Sequence, residues 1–175
     1  MDQLVSTTDF DYFPYQLSGL EGKTATFNAF VLKMQEDVLR TVLGNELYDL
    51  FDAGLDEDYP ADKWVDLRDG ADYTIDTIKY KWVGLNKMLV PYVYSEYLAK
   101  TFSSHSGIGV TFPKAENSSA VDPSAEISTS SAAFAVLVGA YKTSKNSLYG
   151  FLTANYTDYP TWIWDELSIR NRFGI

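Results

Sequence analysis

Carboxylates are the side chains of this sequence with the clearest capacity for chemistry, and they are concentrated in one stretch. Between Asp49 and Asp76 there are ten acidic residues and two basic ones. Carboxylate oxygens suit calcium, and a calcium-binding EF-hand loop has glycine at its sixth position. With Gly70 in that position, Val65, Leu67 and Asp69 fall at positions one, three and five, so only one of them offers a carboxylate. This spacing excludes an EF-hand. The concentration of acidic residues favours either a solvated surface or a surface that repels DNA phosphates.

The other candidate groups lack the partners that catalysis requires. The single histidine, His105, stands among serines, and the chain has no cysteine, which excludes a typical zinc site and a cysteine nucleophile. We expect His105 to be exposed in a loop. Gly107 and Gly109 lack the third glycine of a dinucleotide-binding loop, and the sequence contains neither a Gly-Lys-Ser/Thr nor a Gly-x-Ser-x-Gly motif. We therefore predict no enzymatic activity and no cofactor. An enzyme would need two of the clustered acids facing each other in a cleft.

The composition favours a folded protein without the positive charge that nucleic-acid binding requires. The chain has 175 residues, of which 46% are hydrophobic and 15% are aromatic, enough for a substantial core. Its formal net charge of −10 argues against a DNA-wrapping protein or one bound to an anionic membrane. We find no basic-then-apolar N-terminus of a signal peptide and no run of about 18 apolar residues. We expect a soluble protein that is not exported by the standard route.

The pattern of elements predicts a mainly α-helical bundle with a small β-hairpin and an extended loop. We expect one domain over residues 1–175, with its helical core at 21–155. The hairpin is predicted at 64–82. The extended loop is predicted at 103–121, where serine, glycine and other small residues predominate.

Helices are predicted where apolar residues recur at intervals of three and four. The first ends at Gly44 and buries one face, made of Phe27, Val31, Met34, Val38 and Val42. The second ends at Gly54 and turns three residues inward, namely Leu47, Leu50 and Phe51. A later helix begins at Asp122-Pro123, and a polar run at 143–147 favours a break within it. Its apolar face comprises Ile127, Phe134, Val138, Tyr141, Leu148 and Phe151.

The central stretch from Trp64 to Phe102 is predicted to change from strands to a helix. Asp69-Gly70 is typical of a turn, because glycine reaches positive φ without a Cβ clash. Apolar residues then alternate with lysines, which predicts a strand with one apolar face made of Ile78, Tyr80 and Trp82. From Gly84 onward apolar residues surround most of a helix, which should therefore be buried on several sides.

Both ends of the chain are predicted to bind partners. Residues 1–20 should form an extended arm whose aromatic side chains pack on a neighbour, since aromatic surface is costly to leave in water. Residues 156–175 should form a docking tail, because Trp, Phe and Arg are frequent interface anchors. An equally favoured alternative is a tail that packs on its own core. The predicted partner-binding residues are Tyr12, Phe13, Trp162, Trp164, Arg170, Arg172 and Phe173.

The order of these features resembles that of a known family. A Trp-and-Gly turn and a Tyr-rich strand precede Gly84-Leu85, which opens an aromatic helix ending before the glycine-rich segment 106–110. This order is similar to that of head-to-tail connector (adaptor) proteins of tailed phages whose hosts are Bacteroidetes-type bacteria. Upstream, Leu43 to Leu50 (LGNELYDL) resembles the short L-G-x-x-L-Y signature of those connectors. The resemblance covers about residues 20–130.

The resemblance implies a structural virion protein, made in the host cytoplasm and located in the virion neck. Roughly a dozen identical copies would form a ring that joins the portal protein to the tail or neck protein below. The extended loop would contact neighbouring copies. Acidic residues would line the channel of this ring. DNA would pass through it without specific binding, because its phosphates would find no counter-charge there. The predicted channel-lining residues are Asp56, Glu57, Asp58 and Asp62.

An alternative function is a non-catalytic binding module. Such a domain would use exposed tryptophan and tyrosine side chains to hold a carbohydrate or a peptide. It would be a monomer with a concave aromatic groove, whereas a connector would associate with itself or with a partner ring.

Overall fold

The computed structural model describes residues 2–11, 14–17, 24–102, 104–106, 109–111, 123–142 and 144–164. This part of the chain is mainly helical, which confirms the predicted fold class. The helices are α1 (Thr24–Leu43), α2 (Asn45–Leu55), α3 (Asp62–Asp69), α4 (Leu85–Phe102), α5 (Ser124–Val138) and α6 (Leu148–Ala154). Strands β1 (Asp72–Ile75) and β2 (Ile78–Lys81) form an antiparallel hairpin. Strands β3 (Ser104–Ser106) and β4 (Gly109–Thr111) form a second, shorter one within the predicted extended loop. Residues 112–121 of that loop lie outside the described residues.

Helix α4 is the central element of the bundle. It packs against α1, α3 and α5, with its most extensive contacts to α5. Its buried residues point in several directions and include Leu85, Met88, Leu89, Tyr92, Val93 and Leu98. The prediction of a helix that is apolar on most sides is therefore confirmed. Pro91 lies inside this helix.

Helix α1 holds the N-terminal segment through a buried glutamine. Phe27, Val31, Val38 and Val42 are buried as predicted, and Met34 is half-buried. This helix also buries a polar residue, Gln35, which the apolar periodicity did not single out. Its Oε1 accepts a hydrogen bond from the Leu4 amide (2.7 Å), and its Nε2 donates to the Asp2 carbonyl (3.0 Å). A buried amide side chain with both ends satisfied fixes the position of the segment that it joins.

The N-terminal segment differs from the predicted extended arm. Residues Thr7–Phe10 form a 3₁₀ helix, and Phe10 is fully buried with its ring edge-to-face against Phe27 (centroids 5.2 Å apart). The Phe10 ring is thus covered by the chain's own α1. Tyr12 and Phe13 lie outside the described residues.

The predicted hairpin at 64–82 is wrong in its first half. Residues Asp62–Asp69 form α3, with Trp64 and Leu67 buried three positions apart, which is a helical spacing. Gly70, at φ +100°, ends this helix and is not a hairpin turn. The true hairpin turn is Asp76-Thr77, between β1 and β2.

Three residues that were predicted to face the core are instead exposed. Leu50 of α2, Ile78 of β2 and Tyr141 after α5 are 47%, 57% and 57% exposed. The predicted break in the later helix is confirmed, because Gly139 ends α5 in the left-handed conformation and Ser147 caps α6. The exposed apolar residues leave surface that the described chain does not cover.

Candidate interaction surfaces

The acidic residues predicted to line a channel lie on the surface. Asp56, Glu57 and Asp58 belong to the connection between α2 and α3, and Asp62 begins α3. All four are exposed. Tyr59, which follows them, is 91% exposed. Among the described residues there is no group of three or more metal-ligating side chains arranged to hold an ion. The structure thus places these carboxylates together on a solvent-facing surface.

A second group of carboxylates surrounds a cavity of about 290 Å³ between α3, β1 and α6. Asp62, Asp66, Asp72 and Asp158 contribute exposed carboxylates to it, and aromatic side chains contribute to its wall. The pKa of Asp66 is raised, chiefly by partial burial and further by the charge of Asp62. A carboxyl that acts as a general acid near neutral pH is usually held in an apolar, desolvated place. Because the carboxylates of this cavity are exposed and not desolvated, they form a negative rim rather than a buried acid–base pair.

The same cavity is lined by two tyrosines, Tyr73 and Tyr159, whose hydroxyls join distant parts of the chain. The Tyr159 hydroxyl donates a hydrogen bond to the Lys63 carbonyl (2.5 Å), and the Tyr73 hydroxyl donates to the Lys145 carbonyl. Burial, with a smaller contribution from Tyr80, raises the pKa of Tyr73 to about 12. Burial also raises the pKa of Tyr159, and the charges of Asp66 and Asp158 add to this effect. Both hydroxyls are neutral donors in the folded state.

We expect the protein to lose stability as the pH rises from 10 to 12, because the folded state holds the Tyr73 proton more tightly than the unfolded chain does. The stabilisation is fully present below the ordinary tyrosine pKa of 10.0 and is lost as the pH approaches the folded value of about 12. The loss attributable to Tyr73 should be on the order of 2 kcal/mol. Urea unfolding at a series of pH values measures it.

The control for this prediction is Tyr73→Phe, which lacks the titrating group. This variant should be less stable at neutral pH, by about 1 kcal/mol, because its Lys145 carbonyl loses a donor. Its stability should then fall less steeply above pH 10 than that of the unmodified protein. Parallel pH profiles for the two proteins would contradict the role assigned to Tyr73.

The hairpin ends in a strained turn. Asp76 and Thr77 have φ values of +49° and +72°, as a two-residue type I′ turn requires. Glycine or asparagine usually occupies such positions, and a β-branched threonine there is unfavourable. Next to the turn, Ile78 and Lys79 are exposed. The hairpin thus projects an apolar side chain and a cation from a strained tip.

The two tryptophans of the predicted docking tail pack on the chain itself. Trp162 is 8% exposed, and its indole Nε1–H donates to the Val42 carbonyl (3.2 Å). Trp164 is half-buried with its ring against Tyr149 (centroids 4.9 Å apart). For these two residues the structure fits the alternative of a tail packed on its own core. Arg170, Arg172 and Phe173 lie outside the described residues.

Large exposed apolar side chains occur on several elements. Leu32 of α1 is 41% exposed and Val136 of α5 is 49% exposed, and these two helices both pack against α4. The remaining members of this group are Leu50, Tyr59, Ile78, Tyr141, Tyr156 and Ile163. Sequence periodicity did not identify Leu32 or Val136 as exposed apolar residues, because it identifies only the face that a helix buries in its own bundle.

His105 lies in β3, but the exposure predicted for its side chain falls outside what the structure describes. None of the described helices is both long enough and apolar enough to cross a membrane. Comparisons with protein-family models, with curated proteins and with solved structures gave no match.

Proposed function

We propose that this chain is a subunit of a phage head-to-tail connector ring that binds the portal protein above and a tail or neck protein below. The motif order from Leu43 to the segment at 106–110 suggests this role. The mainly helical fold with a small hairpin agrees with it. In this proposal the protein is a structural component of the virion neck and catalyses no reaction.

The observation that carries the proposal is the presence of exposed apolar side chains on separate helices of the bundle. Leu32 on α1 and Val136 on α5 belong to helices that pack against the central α4. A closed ring of identical subunits needs two different surfaces per copy, since each copy offers one surface to each neighbour. Apolar residues on separate elements can supply both surfaces.

The exposed carboxylates support a role next to DNA. Asp56, Glu57, Asp58 and Asp62 are all solvent-facing, and a negatively charged channel does not retain phosphates. Carboxylates of the α3 cavity, such as Asp66 and Asp72, extend the same negative surface. DNA could then pass without specific binding.

The alternative function, a binding module for carbohydrate or peptide, is favoured by one observation. Tyr59, Tyr141 and Tyr156 are 91%, 57% and 58% exposed, and exposed tyrosine is common in sites for such ligands. That function calls for exposed tryptophan as well, but Trp164 is half-buried and Trp162 is buried. We therefore place the connector first.

The mass of the purified protein in solution tests the proposal, measured alone and then with the portal ring of the same genome. A ring alone, or addition of many copies to the portal ring, is the expected result. A protein that stays monomeric and does not bind the portal ring at any concentration would contradict the connector function. Screening Tyr59→Ala and Tyr141→Ala variants against sugars and peptides would then test the alternative.

Leu32→Asp and Val136→Asp should each weaken assembly. A charge in place of a buried apolar contact costs about 1.5 kcal/mol or more, which corresponds to at least roughly a tenfold loss of affinity between copies. Ser128→Asp, at an exposed polar position about 80° around the same helix from Val136, is the matched control and should assemble normally. Circular dichroism should show that all three variants keep their helices. Equal assembly of Val136→Asp and Ser128→Asp would exclude the Val136 face from the interface.

A further inference from the structure

Residues 161–164, which we name the strap, pack across the end of α1 without forming a helix or a strand. They follow Tyr159, which is 1% exposed and whose hydroxyl donates to the Lys63 carbonyl (2.5 Å). Within the strap, the Trp162 indole N–H donates to the Val42 carbonyl (3.2 Å), and the Trp162 amide donates to the Tyr159 carbonyl (3.1 Å). The strap is thus fixed at its start and is held in place chiefly by one tryptophan.

Two polar groups of the strap are buried without a hydrogen bond. The Thr161 hydroxyl oxygen and the Trp164 indole nitrogen are shielded from solvent, and neither has a partner within the described part of the chain. Each has therefore given up its hydrogen bonds to water without replacement, which is unfavourable. The Trp164 ring packs on Tyr149 and Trp162 (centroids 4.9 and 6.0 Å apart), whereas Ile163 is 78% exposed and adds little packing.

These features divide the strap from the core that precedes it. The Tyr159 ring packs on Trp64 and Phe151 (centroids 6.0 and 5.8 Å apart), and its hydroxyl has a partner. Opening the strap alone returns two polar groups to water and breaks the single side-chain bond of Trp162. Burial of the Trp162 ring keeps the closed position favoured, because exposing an indole is costly. Segments with few buried contacts open at lower free energy than a core.

We propose that the strap is a conformational device that opens and closes beyond Tyr159 while the helical bundle stays folded. In the closed position Trp162 and Trp164 cover the Tyr149 ring. In the open position both tryptophans lie in solvent, together with Ile163. The two alternatives that the sequence left for these tryptophans, the chain's own core and accessibility to a partner, are then two positions of one segment. This inference does not depend on the connector function.

Hydrogen exchange followed by NMR on the full-length protein tests local opening. The reporter is the backbone amide of residue 162, whose bond to the Tyr159 carbonyl breaks when the strap opens. The reference is the amide of Leu89, which is 0% exposed in α4. After correction for intrinsic exchange rates, we expect the reporter to exchange at least roughly tenfold faster than the reference. Equal rates would mean that the strap opens only when the whole protein unfolds, and would overturn the proposal.

The same chemical change at the two tryptophans tests why the strap opens. 3-Benzothienylalanine has the shape of tryptophan but carries sulfur in place of the indole N–H. Placed at Trp164, it removes a group without a partner and should slow exchange of the reporter by roughly fivefold. Placed at Trp162, it leaves the Val42 carbonyl without its donor and should speed exchange by roughly fivefold. Slower exchange at one site and faster exchange at the other support the proposal.

Thr161→Val repeats the test without an unusual amino acid, since valine keeps the shape of threonine and lacks the hydroxyl. This variant should also slow exchange of the reporter by roughly fivefold. Tyr156→Phe removes an exposed hydroxyl just before the strap and should leave exchange unchanged. If the changes at Thr161 and Trp164 both speed exchange, these groups are hydrogen-bonded in the folded protein and the proposal is wrong.

Discussion

Replacing Trp82 by alanine should lower the free energy of unfolding by about 3–5 kcal/mol, as is usual for removal of a fully buried large aromatic side chain. The Trp82 ring is 0% exposed and stacks on Phe151 of α6 (centroids 5.9 Å apart). Its indole Nε1–H donates to the Leu67 carbonyl in α3 (3.0 Å). One side chain thus joins the hairpin, α3 and α6. Urea unfolding followed by tyrosine and tryptophan fluorescence measures the loss.

Two variants separate the contributions at this position. Trp82→Phe keeps an aromatic ring but leaves the Leu67 carbonyl without its donor, so we expect an intermediate loss of about 1–3 kcal/mol. Tyr59→Ala removes a large aromatic side chain that is 91% exposed and should change stability by no more than about 0.5 kcal/mol. If Trp82→Ala were as harmless as Tyr59→Ala, the assignment of Trp82 to the core would be wrong.

Gly70→Ala should be destabilising by about 2–4 kcal/mol, because alanine would be strained at this positive φ and its Cβ would clash with backbone atoms. Gly70 has a φ of +100°, which side chains rarely adopt. A Cβ there would lie 2.5 Å from the Trp82 carbonyl oxygen and 2.7 Å from the Val83 carbonyl carbon. Those atoms cannot move freely, since the Trp82 and Ala71 backbones bond to each other in both directions (2.8 and 3.1 Å). Thermal unfolding of purified protein checks the prediction.

Gly44→Ala is the matched control for this variant. Gly44 also has a positive φ (+80°), but a Cβ there would meet no atom within 4 Å. It should therefore cost only the conformational strain, about 1 kcal/mol. The difference between the two variants measures the close approach of the chain at Gly70. Equal losses would mean that this approach contributes nothing.

The hairpin shows why local patterns predicted some elements and not others. Asp69-Gly70 is a turn dipeptide in isolation, yet here the glycine ends α3 because Trp64 and Leu67 are buried on one face of that helix. The true turn, Asp76-Thr77, has a threonine where the type I′ conformation favours glycine, so no local signal predicted it. Packing of Tyr73 and Trp82 on Phe151 outweighs the local preference.

Interaction surfaces were harder to predict than the core. Apolar periodicity predicted that Leu50 and Tyr141 face inward, but both are exposed, because a periodic pattern does not show which side of a helix a neighbouring element covers. For Trp162 the sequence left two alternatives, a partner or the chain's own core, and the structure buries its ring with the indole N–H bonded to the Val42 carbonyl. Residue type predicted large contact area at these positions, and the packing of distant segments decided what supplies the contact.

The sequence by itself determined the helices α1, α4 and α5, the break before α6, and the concentration of acid between Asp49 and Asp76. These features follow from spacing and composition, which are local properties of the chain. Only the tertiary structure decided that the N-terminal segment packs on α1 and that the connection before α6 lies beside β2. These arrangements depend on contacts between residues far apart in the chain, such as Gln35 with Leu4 and Lys81 with Asn146, whose pairing no local pattern encodes.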